Sequence, residues 1–315
     1  MWTYVFQRAI AMLVTMFVVA TITFVITGLI PGSPAAVMLG EEATIESIRE
    51  LDRQLGMDRP IIVRYVTWLG GLLRGDLGFS IYQQNVRVQT LVLSRAEPTI
   101  LIATSALVIA VLIGLPLGII AAVNHRKAAD GASMVIALAG ISIPNFWLGL
   151  NLILIFGLAL RWLPTSGYVS LSDDPTRTWR YIILPAITLG TSHAAFIARM
   201  ARANLLEVLR TDYVRTARAK GLRNRAVIIK HAMRNAMVPT LSVIGVAATL
   251  MVGGSVVTET VFAIPGIGRM MLESVLRRDF PLLQGLIILV ALSVAMINFI
   301  VDILYGVFNP TIRYA

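Results

Sequence analysis

Charged residues are absent from six long stretches of this chain, and the apolar character of each stretch predicts a helix that crosses a membrane. A membrane-spanning helix needs about 20 predominantly apolar residues, and the shortest of the six stretches has 18 residues. We therefore predict an all-α integral membrane protein with six transmembrane helices. The predicted spans lie at about residues 9–30, 99–124, 132–158, 181–202, 236–258 and 280–303.

The first predicted span lies near the N-terminus, where a cleaved signal peptide is the alternative interpretation. Its uncharged stretch, Ala9–Ile30, is longer than the apolar part of a signal peptide and has no clear small-x-small cleavage site at its end. We therefore expect this segment to be retained as a transmembrane helix. Six crossings then place both termini on the same side of the membrane.

Composition agrees with a membrane location and excludes several kinds of chemistry. Hydrophobic residues make up 57% of the 315 residues and charged residues 14%, whereas an average soluble domain has about 25% charged residues. The chain has no cysteine, which excludes disulfide bonds, thiolate metal sites and cysteine nucleophiles. The three histidines, His125, His193 and His231, form no HExxH metal motif. We expect His193 to hydrogen-bond a neighbouring helix and not to bind substrate.

The basic residues are unevenly distributed, and ten of them lie between Arg199 and Arg234. If the N-terminus is cytoplasmic, the loops on that side carry a net charge of +11 and the outer loops a net charge of zero. Cytoplasmic loops of membrane proteins are enriched in Lys and Arg. We therefore predict that both termini and the Arg199–Arg234 segment are cytoplasmic.

The segment of residues 31–98, between the first two spans, is predicted to be extracytoplasmic and helical. Thr44 can cap a helix that has Glu46 in its first turn and ends at Gly56. Pro60 suits the first turn of a second helix, whose apolar residues fall on one face. We interpret this segment as a small helical cap, so that residues 1–315 form a single transmembrane domain.

The segment of residues 203–235 carries clear signals for where helices begin and end. No Gly or Pro interrupts the chain from Phe196 to Lys220, so we expect the fourth helix to extend into the cytoplasm. Gly221 can end that helix in the left-handed conformation, and Asn224 can cap the next helix. The sequence therefore predicts two short helices that meet at Gly221.

This joint is suited to a contact with another protein. The small residues Ala217 and Ala219 allow a second surface to approach closely. Five basic side chains can pair with an acidic groove, and these are Arg215, Arg218, Lys220, Arg223 and Arg225. The alternative interpretation is that these bases only fix the orientation of the chain in the membrane.

Polar groups at membrane depth are costly and are candidates for a pathway or a subunit interface. Here they are Ser142, Asn145, Ser255, Glu259, Asn298 and Asp302. Ser142, Pro144 and Asn145 are expected to interrupt the third span. Asp302 can alternatively extend to the cytoplasmic interface, and Glu259 can be an ordinary solvated acid at the end of the fifth helix. Gly253 and Gly254 are expected to permit close helix packing.

Motifs along nearly the whole chain resemble one family of transporters. The segment Tyr213–Gly221, followed by His231, resembles the cytoplasmic EAA loop of bacterial ABC importer permeases, with Ala217 at its second alanine and Arg215 and Thr216 replacing the residues before it. This departure is similar to the loop of the first (B-type) permease subunit of the dipeptide/oligopeptide, nickel and glutathione family. Other similar motifs follow in order at Ile30–Ala35, Leu55–Pro60, Gly75–Ser80, Gly114–Gly118, Phe262–Gly268, Val301–Tyr305 and Asn309–Tyr314.

The resemblance implies a type I ABC importer fold and a permease subunit that translocates short peptides across the inner membrane by alternating access. It implies four kinds of association: a second homologous permease subunit, two ATP-binding subunits, an extracytoplasmic substrate-binding protein and the lipid bilayer, with no nucleic acid. The element implied to couple with the ATPases comprises Arg215, Thr216, Ala217, Arg218, Ala219, Lys220 and Gly221.

The chain has no Gly-Lys-Ser/Thr P-loop, so we expect no enzymatic activity and no cofactor in this chain, with ATP and Mg²⁺ bound by the partner subunits. Glutathione, a nickel chelate or an oligosaccharide are alternative cargoes. An ion-coupled secondary transporter is an alternative mechanism, although such transporters usually have more acids within the membrane. An intramembrane enzyme would need paired acids or a Ser/His/Asp set within the spans, and the sequence shows neither.

Overall fold

The computed structural model describes residues 2–29, 33–40, 43–54, 56–83 and 86–308, and within these ranges the regular secondary structure is helical apart from one isolated β-bridge. This confirms the prediction of an all-α protein. The helices in this part of the chain are α1 (Trp2–Leu29), α2 (Pro34–Leu39), α3 (Ile45–Gln54), α4 (Ile61–Leu73), α5 (Val88–Val123), α6 (Ala128–Ser142), α7 (Asn145–Ala159), α8 (Pro175–Leu209), α9 (Asp212–Ala219), α10 (Asn224–Val261), α11 (Ile267–Leu276) and α12 (Phe280–Phe308).

Five of these helices, α1, α5, α8, α10 and α12, are long and apolar enough to cross a membrane. A sixth candidate is the pair α6 and α7, which meets the same criteria together but is bent by 95°. The bend is caused by Pro144, which disfavours helical backbone at Ile143, and Ile143 is extended there (φ −84°, ψ 120°). The predicted interruption at Ser142, Pro144 and Asn145 is therefore confirmed.

Two spans continue as helices well beyond their predicted bounds. α5 begins at Val88 instead of near residue 99, and it passes through Pro98 and Pro116. α8 begins at Pro175, six residues before the predicted start at residue 181, and ends only at Leu209. The predicted bounds marked where charged residues end, whereas a helix continues into water for as long as its backbone groups remain paired.

The core of the bundle is the contact between α5 and α8, which depends on small residues. A Cβ added at Gly114 would lie 2.4 Å from the carbonyl oxygen of Ala194, and one at Gly118 would lie 2.5 Å from that of Ala198. Gly and Ala at such positions let two helix backbones approach closely within a membrane. The Gly114–Gly118 motif therefore has a packing role.

The packing expected at Gly253 and Gly254 is largely absent. No atom outside its own helix lies within 4 Å of a Cβ built at Gly253. A Cβ at Gly254 would meet only Leu189, at 3.3 Å. Close helix approach occurs on α5 and α8 and not at this pair of glycines.

The segment between α1 and α5 contains the predicted helices. The Thr44 hydroxyl accepts a hydrogen bond from the Ser47 N–H at 3.2 Å, which caps α3 as expected. α3 ends at Gln54, and Gly56 has the positive φ, 70°, predicted for the position after a helix. α4 follows directly after Pro60.

The aromatic face of α4 lies against α1. Its Tyr65 and Trp68 rings approach the Phe24 ring of α1 with centroids 5.3 and 5.4 Å apart. α4 buries no residue completely. It is therefore a helix attached to the side of a span by aromatic contacts and has no core of its own.

The bundle has two ends. The insert end is the one next to the segment between α1 and α5, and there α5, α8 and α12 begin and α10 ends. The opposite end, where α5 and α8 end and α10 begins, is called the knuckle end after residues 212–225, the knuckle described below. α10 has 38 residues and separates the two ends by about 55 Å at the usual rise of an α-helix.

Candidate functional site

The knuckle consists of α9 and the turn through Gly221 into α10, residues 212–225. The fourth span continues past residue 202 as expected, and two helices meet at Gly221, of which α9 is short. The expected continuity up to Lys220 is wrong, because α8 ends at Leu209 and α9 is a separate helix. Thr211 causes the break: its backbone is extended (φ −71°, ψ 153°), and its hydroxyl donates to the Val208 carbonyl at 2.6 Å. A carbonyl at the end of α8 thus finds a side-chain partner in place of the next helical turn.

Gly221 has the predicted left-handed conformation, with φ of 78°. No atom lies within 4 Å of a Cβ built there, so the position requires glycine for its backbone conformation and not for space. The predicted cap at Asn224 is wrong by one residue, since Arg223 occupies the cap position and makes no side-chain cap bond.

The inner face of the knuckle is apolar and buried. Val214 of α9 is 0% exposed and Ala217 is 7% exposed. They belong to a cluster with Leu205 of α8 and with Val227 and Ala232 of α10. The expectation that Ala217 faces a partner protein is therefore wrong, because Ala217 fixes α9 to the bundle.

The outer face of the knuckle is basic and exposed. The other residues predicted for coupling, Arg215, Thr216, Arg218, Ala219, Lys220 and Gly221, are all exposed, as are Arg223 and Arg225. Arg215 forms an ion pair with Asp212 at 3.3 Å within this surface. Leu222, in the turn that follows Gly221, is also exposed (43%). Its position directly after the predicted turn residue could have identified it from the sequence as part of this exposed face.

A partly buried ion pair, which was not among the predicted features, connects the knuckle end to the core. Asp130 at the start of α6 accepts two hydrogen bonds from Arg202 of α8, at 2.7 and 2.8 Å. His125 and the backbone N–H of Arg126 also contact this carboxylate, at 3.2 and 3.0 Å. The cluster fixes the turn between α5 and α6 to α8, about two turns before α8 ends.

The candidate pathway residues do not come together into one site. Ser142 is exposed at the bend, and its hydroxyl donates a hydrogen bond to the Leu138 carbonyl. Asn145 is half-buried at the start of α7. Asn298 is exposed on α12, and Asp302 forms an ion pair with Arg8 of α1 at 3.1 Å. Asp302 thus has a partner within its own chain.

Glu259, a candidate for the pathway or the subunit interface, lies inside the protein and is 0% exposed. Its carboxylate accepts hydrogen bonds from the Thr99 hydroxyl at 2.6 Å and from the Arg269 N–H at 2.8 Å. Thr99 in turn accepts from the Ile267 N–H at 2.8 Å. Ser255, one turn earlier on α10, is also fully buried. The alternative of a solvated acid is wrong, because Glu259 holds the beginning of α11.

Asp279, which was not among the predicted site residues, plays the same part at the start of α12. It is 1% exposed and accepts from the Ser80 hydroxyl and from the backbone N–H groups of Ile81, Tyr82 and Leu282. The available signal in the sequence was an acid directly before a predicted span, where it can cap a helix. Its other partners, at residues 80–82, are too distant in sequence to be predicted.

A helical bundle with apolar spans and an exposed basic knuckle at one end defines a multi-spanning membrane protein. The chain belongs to the family of binding-protein-dependent transport system inner membrane components. The family's main model matches residues 114–314, and the model of its N-terminal part matches residues 1–95. The protein is therefore an ABC importer permease subunit of the inner membrane, as the sequence motifs indicated.

Characterised relatives support the same family. The chain is 40% identical over 314 residues to the glutathione transport system permease protein GsiC of Escherichia coli strain K12, and equally to that of strain CFT073, with 100% of each chain covered. Among solved structures, the inward-facing MetNI methionine ABC transporter matches 70% of this chain and 96% of its own, with a TM-score of 0.58 and 19% identity. This likeness shows a shared fold of the type I importer class.

Proposed function

We propose that the chain is one of two different permease subunits of an ATP-driven importer that moves short peptides inward by alternating access. The family implies ATPase and substrate-binding partners. Two ATP-binding subunits hold ATP and Mg²⁺ and carry out the hydrolysis, and this chain binds no cofactor of its own. An extracytoplasmic binding protein delivers the cargo.

The observation that carries this proposal is the two-sided knuckle. Its inner face is part of the apolar cluster that includes α8 and α10, so a displacement of α9 is transmitted to two spans. Its outer face presents five exposed bases and Leu222 to a partner. An ATPase that binds this face can therefore move the helices on which the pathway depends.

In the proposed orientation the knuckle and both termini are cytoplasmic and the insert end faces outward. The excess of basic residues between Arg199 and Arg234 supports this orientation. The chain contains no cysteine, so single cysteines can report it directly. A cysteine at the exposed Ala219 should react only with reagents that enter the cell, and one at the exposed Leu276 should react from outside. The reverse pattern would overturn the orientation.

The cargo is tested with the complete importer, reconstituted in vesicles with its ATPases and binding protein. ATP-dependent uptake of a labelled dipeptide is the expected result for a peptide importer. Uptake of glutathione alone would support the second candidate cargo, which the 40% identical glutathione permeases favour. Uptake of a nickel chelate or an oligosaccharide, with neither peptide nor glutathione, would overturn the peptide assignment.

A further inference from the structure

A cavity of about 160 Å³ opens at the insert end, between α5, the segment of residues 80–83, α11 and the start of α12. Three guanidinium groups from two helices and a turn line it, those of Arg95, Arg269 and Arg277. The acids in its lining are Glu273 and Asp279. Three bases and two acids leave one net positive charge in a small cavity.

Both acids already have partners, so the positive charge is available to a ligand. Glu273 pairs with the Arg269 Nε at 3.1 Å, and Asp279 is satisfied by one hydroxyl and three backbone N–H groups. In the part of the chain that the structure describes, neither Arg95 nor Arg277 forms an ion pair. An anion that enters the cavity meets two guanidinium groups that neither lining carboxylate pairs with.

The walls of the cavity are held in position by the two buried carboxylates described above. Glu259 accepts from the backbone N–H of Arg269 and so fixes the beginning of α11. Asp279 fixes residues 80–82. The Arg277 guanidinium stacks on the Tyr82 ring, with its Cζ 3.7 Å from the ring centroid. Stacking on an aromatic ring orients a guanidinium while leaving its edge free for hydrogen bonds. The Arg277 guanidinium and the beginning of α11 are therefore positioned before any ligand arrives.

We propose that this arginine pocket binds a single carboxylate group. Sites for whole small molecules usually measure about 300–1,000 Å³, so the cavity admits the end of a ligand and not an entire cargo. A planar carboxylate matches the paired N–H groups of a guanidinium. One net positive charge suits a singly charged carboxylate better than a phosphate, which carries about two negative charges near neutral pH.

Given the proposed function, on which this step rests, two sources can present the carboxylate from the outer side. One is the terminal carboxylate of the peptide cargo, and the other is an acidic side chain of the delivering binding protein. Both carboxylates would bind the pocket arginines in the same way. They are distinguished by which property of transport changes when one of these arginines is substituted.

Carboxylate binding itself is tested without ATP or binding protein. Phenylglyoxal, which modifies accessible arginines, is applied to the assembled importer in nanodiscs, and modification of each arginine is measured by mass spectrometry. N-acetylglycine should slow the modification of Arg95 and Arg277 at least threefold, and N-acetylglycinamide should not. Arg278 is adjacent in sequence but lies outside the pocket lining. It should therefore be modified at the same rate in the presence of N-acetylglycine and of N-acetylglycinamide. Equal rates with acid and amide, or protection by inorganic phosphate alone, would overturn the proposal.

The source is assigned with Arg95→Gln and Arg277→Gln, with Arg278→Gln as the matched control. If the binding protein supplies the carboxylate, the concentration that half-maximally stimulates ATP hydrolysis should rise about tenfold or more in the pocket variants. If the cargo supplies it, the preference for a free peptide over its C-terminal amide should fall by a similar factor. Native behaviour of both variants in both assays would overturn the pocket's role, whereas a wild-type importer that moves no peptide would contradict only the proposed function.

Discussion

In the knuckle itself, residues 212–225, the charged side chains face solvent and apolar contacts hold α9 in place, whereas at the insert end carboxylates are buried and hold backbone segments together. The knuckle depends on Val214 and Ala217 for its position and leaves Arg218 and Lys220 exposed. At the insert end, Glu259 and Asp279 are almost completely buried. Both regions carry charge, but the charges of residues 212–225 do not hold elements together, whereas the buried carboxylates of the insert end do.

The difference follows from the cost of removing charge from water. A buried carboxylate is stable only when hydrogen-bond donors replace its water, and its removal leaves those donors unsatisfied. An exposed base loses little when its partner is absent. We therefore expect substitutions of acids at the insert end to affect stability and substitutions at the knuckle to affect coupling.

The largest effect is expected from Glu259→Ala, which leaves the Thr99 hydroxyl and the Arg269 N–H without their acceptor. Each unsatisfied buried donor costs about 1–3 kcal/mol, so the variant should lose about 3 kcal/mol or more of stability. The measurement is the thermal unfolding midpoint of the purified complex, together with its yield. Glu273→Ala, which removes a half-exposed acid from neighbouring α11, is the control and should change the midpoint only slightly. A native midpoint for Glu259→Ala would show that Glu259 is not structural.

Much of this architecture could be predicted from the sequence, because its signals are local. The uncharged stretches predicted the spans, Pro144 marked the bend, and Gly221 marked the left-handed turn. Each depends on a property of one residue or one short window, such as the φ that only glycine adopts without strain. The bounds of α5 and α8 were less accurate because a helix does not end where its charges begin.

The partners of buried side chains could not be predicted, because they are distant in sequence. Glu259 is 160 residues from Thr99, and Asp279 is 199 residues from Ser80. A carboxylate that caps a distant segment has the same local sequence as one that faces a pathway, so Glu259 was interpreted as a pathway candidate. Ala217 was misplaced for a related reason, since a small residue suits either face of α9.

A smaller change in stability and a large change in function are expected from Gly221→Val. A β-branched residue is strained at positive φ, and local strain of about 1–2 kcal/mol or more should deform the turn. Stimulated ATP hydrolysis and uptake should fall, while insertion and the unfolding midpoint of the spans should remain near native. Gly221→Asn is the control, because asparagine tolerates this conformation and nothing crowds its Cβ. Full uptake by Gly221→Val would show that the knuckle is only a topogenic basic segment.

Asp302→Asn should have a still smaller effect, because its ion pair with Arg8 is partly exposed and such pairs contribute about 0–1 kcal/mol. Complex yield and uptake should remain close to native. Arg8→Gln should give the same small shift in unfolding midpoint, and the double variant should add little to either. Loss of assembly in Asp302→Asn but not in Arg8→Gln would instead assign Asp302 to the subunit interface or the pathway.

The smallest effect on stability is expected from Arg218→Glu, which reverses a charge on the exposed face of α9. The unfolding midpoint should not change, because Arg218 has no part in the apolar cluster that positions the knuckle. Pull-down of the ATPases should weaken by less than about tenfold, since exposed ion pairs are each worth about 0–1 kcal/mol, and raised salt should weaken the native complex in the same way. Arg74→Glu, an equal reversal on an exposed residue at the insert end, should leave ATPase binding intact. If both reversals weakened the pull-down equally, the loss would reflect overall charge, and the knuckle would not be a specific docking face.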